Sequence, residues 1–261
     1  MAGIARFVLW LWGLSFLLQA TVVFYLLGTG KWRIYRGLLF YLSANISQSI
    51  FLYSTYTVWG FSSPTAKRLA WISQIPVVTM RAWAVMDLCR LLLDRYTGVW
   101  SLAWRILALL GLALVLGSVL TAGLGWEHIV PNVNINLEWT TVLLLVALFV
   151  FARHYEIAAS PALRAMALGF FLYSAFAILN DTVLSHWLTR YSPTWNVLAM
   201  LSFLASVCLW LYAVRKPLED GGRVSLLPPD VYHHLTPDLN LRLRTLNERL
   251  SKLWNPEAHR P

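Results

Sequence analysis

Long apolar stretches separated by short polar breaks dominate this chain. A helix needs roughly 20 mainly apolar residues to cross the hydrocarbon core of a bilayer. Seven stretches meet that requirement, and glycine, proline and serine mark most of the breaks. They cover about residues 6–28, 35–59, 69–93, 101–124, 137–155, 163–186 and 194–214. The pattern predicts an all-α integral membrane bundle of seven transmembrane helices within residues 1–216.

The composition agrees with that prediction. Of 261 residues, 58% are hydrophobic and 13% are charged, whereas soluble domains carry about 25% charged residues. The 14 Trp and 11 Tyr are typical of chains whose rings lie at membrane interfaces. No soluble basic module accompanies the net charge of +9, so nucleic-acid binding is not expected. Cys89 and Cys208 lie in separate apolar stretches, which argues against a structural disulfide between them.

Lys and Arg are distributed unequally between the two ends of the predicted helices. With the N-terminus outside, the inner connections carry most of them, and the segment from Arg215 onward adds eight more. The outer side then holds only Arg6, Lys67, Arg68 and Arg190. Because cytoplasmic loops are enriched in Lys and Arg, the N-terminus is predicted outside and the C-terminus inside. Residues 125–136 contain no Lys or Arg and are predicted to form an exported loop.

The C-terminal tail is a separate element. Residues 217–235 are rich in Gly and Pro and predict a linker, and residues 236–256 predict a cytoplasmic amphipathic helix with Thr236 as its N-cap. Its leucines recur at spacings of four and three, as in a short coiled-coil seam. They are Leu239, Leu243, Leu246, Leu250 and Leu253. Such a helix lies on the membrane or the bundle, or pairs with a second copy or a partner protein.

Polar residues inside the predicted helices bear on function. A charge at the centre of a membrane helix costs roughly 2.5–3.5 kcal/mol on insertion scales, so Arg81 needs a partner. Asp181 in the sixth stretch is the predicted one. We expect both to belong to an outward-leaning cluster of Gln19, Asn45, Gln48, Gln74, Arg81, Asn180 and Asp181. Such a cluster either joins the helices by hydrogen bonds or lines a cavity for a small ligand or ion.

A second group of charges lies toward the inner end of the third stretch. Asp87, Arg90 and Asp94 are spaced by three and four residues and therefore form one stripe along the helix. Arg90 and Asp94 approach the inner surface, where the pattern predicts an interfacial anchor. Asp87 lies a full turn or more deeper, and the sequence assigns it no role.

The sequence predicts no cofactor. A retinal Schiff base needs a lysine well inside the last helix, and residues 194–214 contain none. There is no phosphate-binding glycine loop, nucleophile elbow or zinc-protease motif, so no catalytic residue is predicted. Four residues expected on the outer side are weak candidates for a metal site, because no short ligand spacing supports them. They are Glu127, His128, Glu138 and His186.

The triplet Asp94-Arg95-Tyr96 matches one found at the inner end of the third helix in G-protein-coupled receptors. The remaining receptor signature is missing, since the last stretch has no Asn-Pro-x-x-Tyr and the sixth has no Cys-Trp-x-Pro. We interpret the triplet as an accidental match at an inner-surface anchor.

A closer resemblance is carried by KWRIYRGLLFYLSANISQSIF, residues 31–51, through Arg33, Tyr35, Arg36 and the pair Phe40-Tyr41. This segment resembles the start of the second helix in a family of uncharacterised bacterial, acidobacterial-type seven-helix membrane proteins. A last helix that ends in Trp-Leu-Tyr before a Pro-containing tail is similar too. The resemblance implies a seven-helix architecture in the bacterial inner membrane and no particular chemistry. The layout is also similar to the seven-helix input domains of some bacterial sensor kinases.

Three classes of function remain open at this level. The favoured hypothesis is a sensory or scaffold protein whose polar cavity binds a small ligand or lipid and whose tail helix engages a partner. The second is a small-solute transporter or channel lined by Gln74, Arg81 and Asp181. An enzyme acting on a lipid or quinone is least supported, because carboxylates and histidines are scattered rather than convergent. An accessory subunit of a membrane complex is a further alternative.

Overall fold

The computed structural model describes residues 2–60, 63–93, 97–121, 129–154, 159–186 and 192–217, together with tail residues 241, 244–246 and 248–249. Only the backbone is described at residues 2–6, 97–99, 121, 129, 131, 181–186, 192–194 and 196.

The described residues of the main body form long helices, as predicted, and no strand occurs among them. The α-helices are α1 (Ala2–Gly28), α2 (Arg36–Trp59), α3 (Pro64–Leu93), α4 (Thr97–Thr121), α5 (Ile129–His154), α6 (Pro161–His186) and α7 (Ser192–Arg215). A short 3₁₀ turn, Lys31–Arg33, lies between α1 and α2. The all-α class is therefore confirmed for the described part of the chain.

Five of these helices are long and apolar enough to cross a membrane. The qualifying segments are Phe7–Gly28, Trp100–Leu120, Asn132–His154, Pro161–Asn180 and Val197–Arg215. The other two, α2 and α3, are long but more polar: α2 carries Asn45 and Gln48, and α3 carries Arg81, Asp87 and Arg90. The apolar composition required of a membrane protein is thus present in five described helices.

The helices form a closed ring. α1 packs between α2 and α7, α2 packs against α3, α3 reaches α5, and α6 joins α5 to α7. α3 also touches α6 across the ring. α4 lies against α5 and α3 at the periphery, and only 6% of its apolar segment is buried. The side chains with the least exposure therefore belong mainly to the other helices.

The contact between α6 and α7 is built around Trp210, which is completely buried. Its ring centroid lies 4.8 Å from that of Phe170 and 5.8 Å from that of Tyr41. Its indole N–H donates a hydrogen bond to the carbonyl oxygen of Met166 at 3.3 Å. Gly169 makes this approach possible, because a Cβ there would lie 2.5 Å from Trp210 Nε1.

The contact between α2 and α3 also depends on a glycine. A Cβ at Gly37 would lie 2.6 Å from the Cα of Ala84, closer than any non-bonded carbon pair can approach. The backbones of the two helices therefore meet near the start of α2.

The connection between α1 and α2 is tied to the end of α7. Gly30 has φ +71°, a left-handed conformation that favours glycine, and it opens the 3₁₀ turn. Lys31 Nζ donates to the carbonyl oxygens of Val214 and Lys216. The ammonium group thus donates to carbonyls that lack partners within α7. Its positive charge also interacts favourably with the negative, C-terminal end of the α7 dipole.

One predicted boundary was wrong. The fifth helix was expected to start at residue 137, with residues 131–136 in an exported loop, but α5 begins at Ile129. Proline is tolerated in a first helical turn, because the amides there have no intrahelical acceptor. The side chains of Asn134 and Asn136 then hydrogen-bond to Arg81 and Ser118 on neighbouring helices. These tertiary contacts outweigh the polar composition that predicted a loop.

Candidate functional site

Arg81 occupies the middle of α3 and is 2% exposed. Its Nη1 atom lies 2.5 Å from Oε1 of Glu138, whose side chain is 1% exposed. Nη2 donates to Asn134 Oδ1 at 2.7 Å, and Nη1 also donates to the Tyr173 hydroxyl at 3.1 Å. The buried guanidinium is thereby neutralised by α5 and hydrogen-bonded by both α5 and α6.

Glu138 was expected at the outer mouth of the bundle, as a weak metal candidate, and that position was wrong. It is fully buried and lies nine residues after the first residue of α5, a distance of about 13 Å along the helix axis. The early start of α5 is the physical reason, because it carries Glu138 inward to the depth of Arg81. The side chain of Asp181, the predicted partner of Arg81, lies outside the described residues.

Tyr173 on α6 connects this ion pair to a cavity. Its hydroxyl accepts from Arg81, and the Arg81 guanidinium lies 5.4 Å from its ring centroid. A second tyrosine, Tyr41 on α2, interacts with the Tyr173 hydroxyl. The ring of Tyr173 also packs against that of Phe203 in an edge-to-face arrangement, at 5.5 Å between centroids. Tyr173 therefore belongs both to the ion-pair network and to the wall of the cavity.

The cavity has a volume of about 290 Å³ and lies between α1, α2, α6 and α7, near the midpoint of each helix. Aromatic rings and uncharged polar groups line it. The lining residues are Trp12, Ser15, Phe16, Gln19, Asn45, Ser49, Tyr173, Ala199, Met200 and Phe203. No charged side chain is present in this lining as the structure describes it. A volume near the lower end of the usual ligand-pocket range, roughly 300–1,000 Å³, suits a small molecule.

Gln19 and Asn45, two members of the predicted cluster, meet at this cavity. Asn45 Nδ2 donates to Gln19 Oε1 at 2.7 Å. Gln19 Nε2 in turn donates to the backbone carbonyl of Ser15 at 3.2 Å and lies 3.1 Å from its hydroxyl. The structure therefore brings together polar residues of α1 and α2 that are distant in sequence.

The rest of the predicted cluster is divided. Gln48 does not line the cavity and donates instead to Ser73 on α3 at 3.3 Å, so it joins two helices. Gln74 and Asn180 are not among the residues that line the cavity. Arg81 does not line the cavity, but it contacts the lining residue Tyr173. The described members are thus divided between a neutral cavity and, beside it, a buried ion pair.

Asp87 has a role that the sequence did not reveal. It is 7% exposed, pairs with Arg90 at 3.2 Å, and accepts a hydrogen bond from the backbone N–H of Gly37 at 3.2 Å. That amide is in the first turn of α2, where backbone N–H groups lack helical acceptors and the helix dipole is positive. Asp87 thus caps a neighbouring helix from within α3. Asp94, the third member of the stripe, lies outside the described residues.

The remaining candidates are not assembled into a site by the described residues. No group of three or more His, Cys, Asp or Glu side chains that could hold a metal occurs among them. Glu127, His128 and the side chain of His186 lie outside the described part. Cys89 is buried, Cys208 is exposed, and both are free thiols.

The tail is described only at a few helical positions. Leu246 of the leucine seam is 40% exposed, and Arg244 lies 3.8 Å from Glu248 one turn later. The other seam positions, Leu239, Leu243, Leu250 and Leu253, lie outside the described residues.

Several residues of the site were missed because their signals are local and weak. Asn134 and Glu138 are four apart and share a helix face, but this spacing has meaning only if the helix begins before residue 134. Ser15 and Ser49 are ordinary small residues of membrane helices. Tyr173 stands among the aromatic residues of α6, and no feature of the sequence distinguishes it from them.

Comparison with known proteins identifies no relative: no protein-family model matches the chain, and neither a curated protein nor a solved structure matches it significantly. Function must therefore be argued from the cavity and the ion pair themselves.

Proposed function

We propose that all seven long helices cross the bacterial inner membrane, with the N-terminus outside and the C-terminus inside. The lengths of α2 and α3, 24 and 30 residues, correspond to about 36 and 45 Å, enough for a hydrocarbon core of about 30 Å. Their most polar groups, Arg81 and Asp87, are buried in the bundle, whereas Phe51, Ile72 and Ile75 are exposed as lipid-facing residues should be. The distribution of Lys and Arg supports the orientation.

Within this bundle, we propose a sensory, receptor-like function in which the cavity binds a small ligand. The observation that carries the proposal is the cavity of about 290 Å³, which combines aromatic walls with the linked amides of Gln19 and Asn45. Binding sites for small molecules have this character, with apolar walls and a few placed polar groups. Tyr173 offers a physical route from the ligand to the core, because it also holds Arg81.

The C-terminal helix is proposed to pass the signal to a partner or a second copy. Its leucine seam is flanked by Arg242, Arg244, Arg249 and Lys252, which suits either a helical partner or the anionic inner leaflet. A scaffold function in which this helix alone recruits the partner belongs to the same proposal.

A transporter is the second candidate. The Arg81–Glu138 pair near the centre of the ring supports it, because charges at this depth often mark a transport path. The side chains of the pair are only 2% and 1% exposed, so a path along them would require the ring to open.

The receptor proposal is tested by filling the cavity. Ala199→Trp places an indole among its lining residues, whereas Leu109→Trp on the exposed face of α4 is the matched control. All proteins are purified in native-lipid nanodiscs, and small molecules that they retain are extracted and identified by mass spectrometry. We expect a molecule to be retained by the wild type and the control and lost from Ala199→Trp. Retention of the same molecules by all three proteins contradicts a cavity receptor.

A chain ending at Pro217 is included in the same experiment. We expect it to keep the ligand but to change its oligomeric state or its recovery of a partner, because only the relay helix is removed. If both properties and the membrane association of the chain are unchanged, the tail has no relay function.

A further inference from the structure

The hydrogen bonds at the cavity form a chain with a defined direction. The carbonyl oxygen of Ser15 can only accept, so the Gln19 group that faces it must be the NH₂ end, as observed at 3.2 Å. Gln19 Oε1 is then the acceptor that faces α2, and Asn45 must present its own NH₂ end, at 2.7 Å. The backbone carbonyl determines this orientation, because its oxygen accepts hydrogen bonds and never donates them.

The consequence is that the Asn45 carbonyl oxygen is left as an acceptor at the cavity. No hydrogen bond to Asn45 Oδ1 occurs among the described residues, and Asn45 is partly exposed in the cavity wall. Ser49, one turn further along α2, lines the same cavity beside it. An uncharged acceptor and a hydroxyl therefore stand together on one wall.

The cavity is also lined by four aromatic side chains. Trp12 and Phe16 come from α1, with centroids 6.2 Å apart, and Phe203 and Tyr173 come from α7 and α6. Trp12 is also held by Tyr53, which stacks on it at 6.2 Å with an angle of 20°. Aromatic side chains favour flat aromatic partners in stacked or edge-on geometries.

From these walls we infer the ligand class: a small, uncharged, planar aromatic molecule carrying one N–H or O–H donor, as an indole or a phenol does. The donor binds Asn45 Oδ1, and the ring lies between the aromatic side chains. The inference rests on the proposed receptor function and specifies its ligand.

Other ligand classes fit the lining less well. An anion would meet the acceptor of Asn45 and no cationic side chain, because Arg81 is occupied by Glu138, Asn134 and Tyr173. A cation would find no carboxylate in the lining. A lipid acyl chain has no donor, so the Asn45 carbonyl would be covered by it without a hydrogen-bond partner.

The test compares matched probes on the full-length protein in nanodiscs. Indole has the donor, 1-methylindole has the same ring without it, and indole-3-acetate adds a negative charge. Equilibrium dialysis of radiolabelled indole, with the other two as competitors, measures the three affinities. We expect 1-methylindole to bind about tenfold more weakly than indole, because it leaves a buried acceptor unpaired. Indole-3-acetate is expected to bind more weakly still. Equal affinities for indole and 1-methylindole overturn the inference.

Asn45→Leu is expected to abolish this preference, so that indole and 1-methylindole bind with equal affinity. Gln48→Leu is the matched control on the same helix, since Gln48 bonds to Ser73 and does not line the cavity. The control should keep the tenfold preference. Because the ratio compares two probes on one protein, a fraction of misfolded Asn45→Leu protein does not change it. If Asn45→Leu still binds indole more tightly than 1-methylindole, another group accepts the hydrogen bond and the assignment to Asn45 is overturned.

Failure of this inference and failure of the receptor proposal are distinguishable. If the wild type binds none of the three probes but retains another neutral molecule that Ala199→Trp loses, only the inferred ligand class is wrong. If Ala199→Trp loses nothing that the wild type holds, the cavity is not a binding site and both proposals fail.

Discussion

Arg81 and Glu138 are each too deeply buried to carry a charge alone. At 2% and 1% exposure, neither side chain reaches water, and each ion neutralises the other at 2.5 Å. Buried ion pairs add little net stability, because desolvation offsets the attraction between the charges. Removing one member of such a pair is much more costly than removing both, since the remaining buried ion loses the attraction that offset its desolvation.

The residue-scale prediction is therefore a non-additive pair of substitutions. Arg81→Met and Glu138→Met are each expected to lower the free energy of unfolding by about 3–5 kcal/mol. The double variant should recover most of that loss, because two apolar side chains replace the pair. Unfolding in mixed micelles, followed by circular dichroism, measures all three values.

Arg90→Met serves as the control, because the Arg90 side chain is 44% exposed and its pair with Asp87 is partly solvated. Its effect should be below about 1 kcal/mol. A double Arg81/Glu138 variant less stable than either single variant would show that the two charges do not depend on each other.

At the scale of elements, the start of α2 depends on its contact with α3. Gly37 allows the two backbones to meet at Ala84, and the same contact brings Asp87 to the amide of Gly37. One glycine thus determines both the spacing of the helices and the capping of one by the other. The hydrogen bond from Gly37 to Asp87 therefore depends on the close packing of Gly37 against Ala84.

Gly37→Ala is expected to destabilise the protein by about 1–3 kcal/mol, the usual cost of an extra methyl group in a packed site. The added Cβ would meet the Cα of Ala84 at 2.6 Å, and backbone cannot move aside as a flexible side chain can. Thermal unfolding in detergent gives the comparison.

The matched substitution is Gly111→Ala in α4, where a Cβ meets nothing within 4 Å. It should be neutral or stabilising by about 0.5–1 kcal/mol, because alanine favours a helix over glycine. Equal effects at the two glycines would refute the close-packing explanation.

At the scale of the whole molecule, the ring buries the Arg81–Glu138 pair and exposes many large apolar side chains in addition to those of its apolar core. Exposed Leu, Ile, Phe or Trp side chains occur on every one of the seven long helices. The peripheral α4 exposes most of its length. Exposed apolar side chains around buried ionic groups are what a bundle in lipid requires, since lipid contacts apolar side chains and cannot solvate polar ones.

The proposed topology predicts opposite labelling of two connections. In a background of Cys89→Ala and Cys208→Ala, Thr29→Cys lies between α1 and α2, and Thr65→Cys lies at the start of α3; both positions are exposed. A membrane-impermeant maleimide should label Thr65→Cys in intact cells and Thr29→Cys only after lysis.

The same experiment tests whether α2 crosses the membrane. Equal labelling of both positions would show that α2 does not separate two compartments, and the reverse pattern would place the N-terminus inside. Labelling after complete solubilisation is the control that both thiols are reactive.

The sequence by itself determined the class of the molecule. Apolar runs of membrane length predict helices because a backbone in lipid must satisfy its hydrogen bonds internally, and this rule is independent of tertiary contacts. It also indicated that Arg81 needs a partner and that Gln19 and Asn45 belong among the polar residues of interest. It could not indicate that Gln48 bonds to α3 instead of lining the cavity. Asn45 and Gln48 are three residues apart and lie on neighbouring parts of one helix face, so only the positions of the adjacent helices separate their contacts.

Only the tertiary structure decided which groups meet. Glu138 became the partner of Arg81 because α5 starts earlier than its polar residues suggest, and helix ends are governed by contacts with other helices. Two other contacts also link different helices. Asp87 on α3 accepts from the amide of Gly37 on α2, and Asn45 on α2 donates to Gln19 on α1, which is itself bonded to Ser15. The periodicity of a sequence indicates which face of its own helix a residue occupies. The rotation and depth of the neighbouring helices are determined by packing, in which small differences in side-chain size decide which residues come into contact.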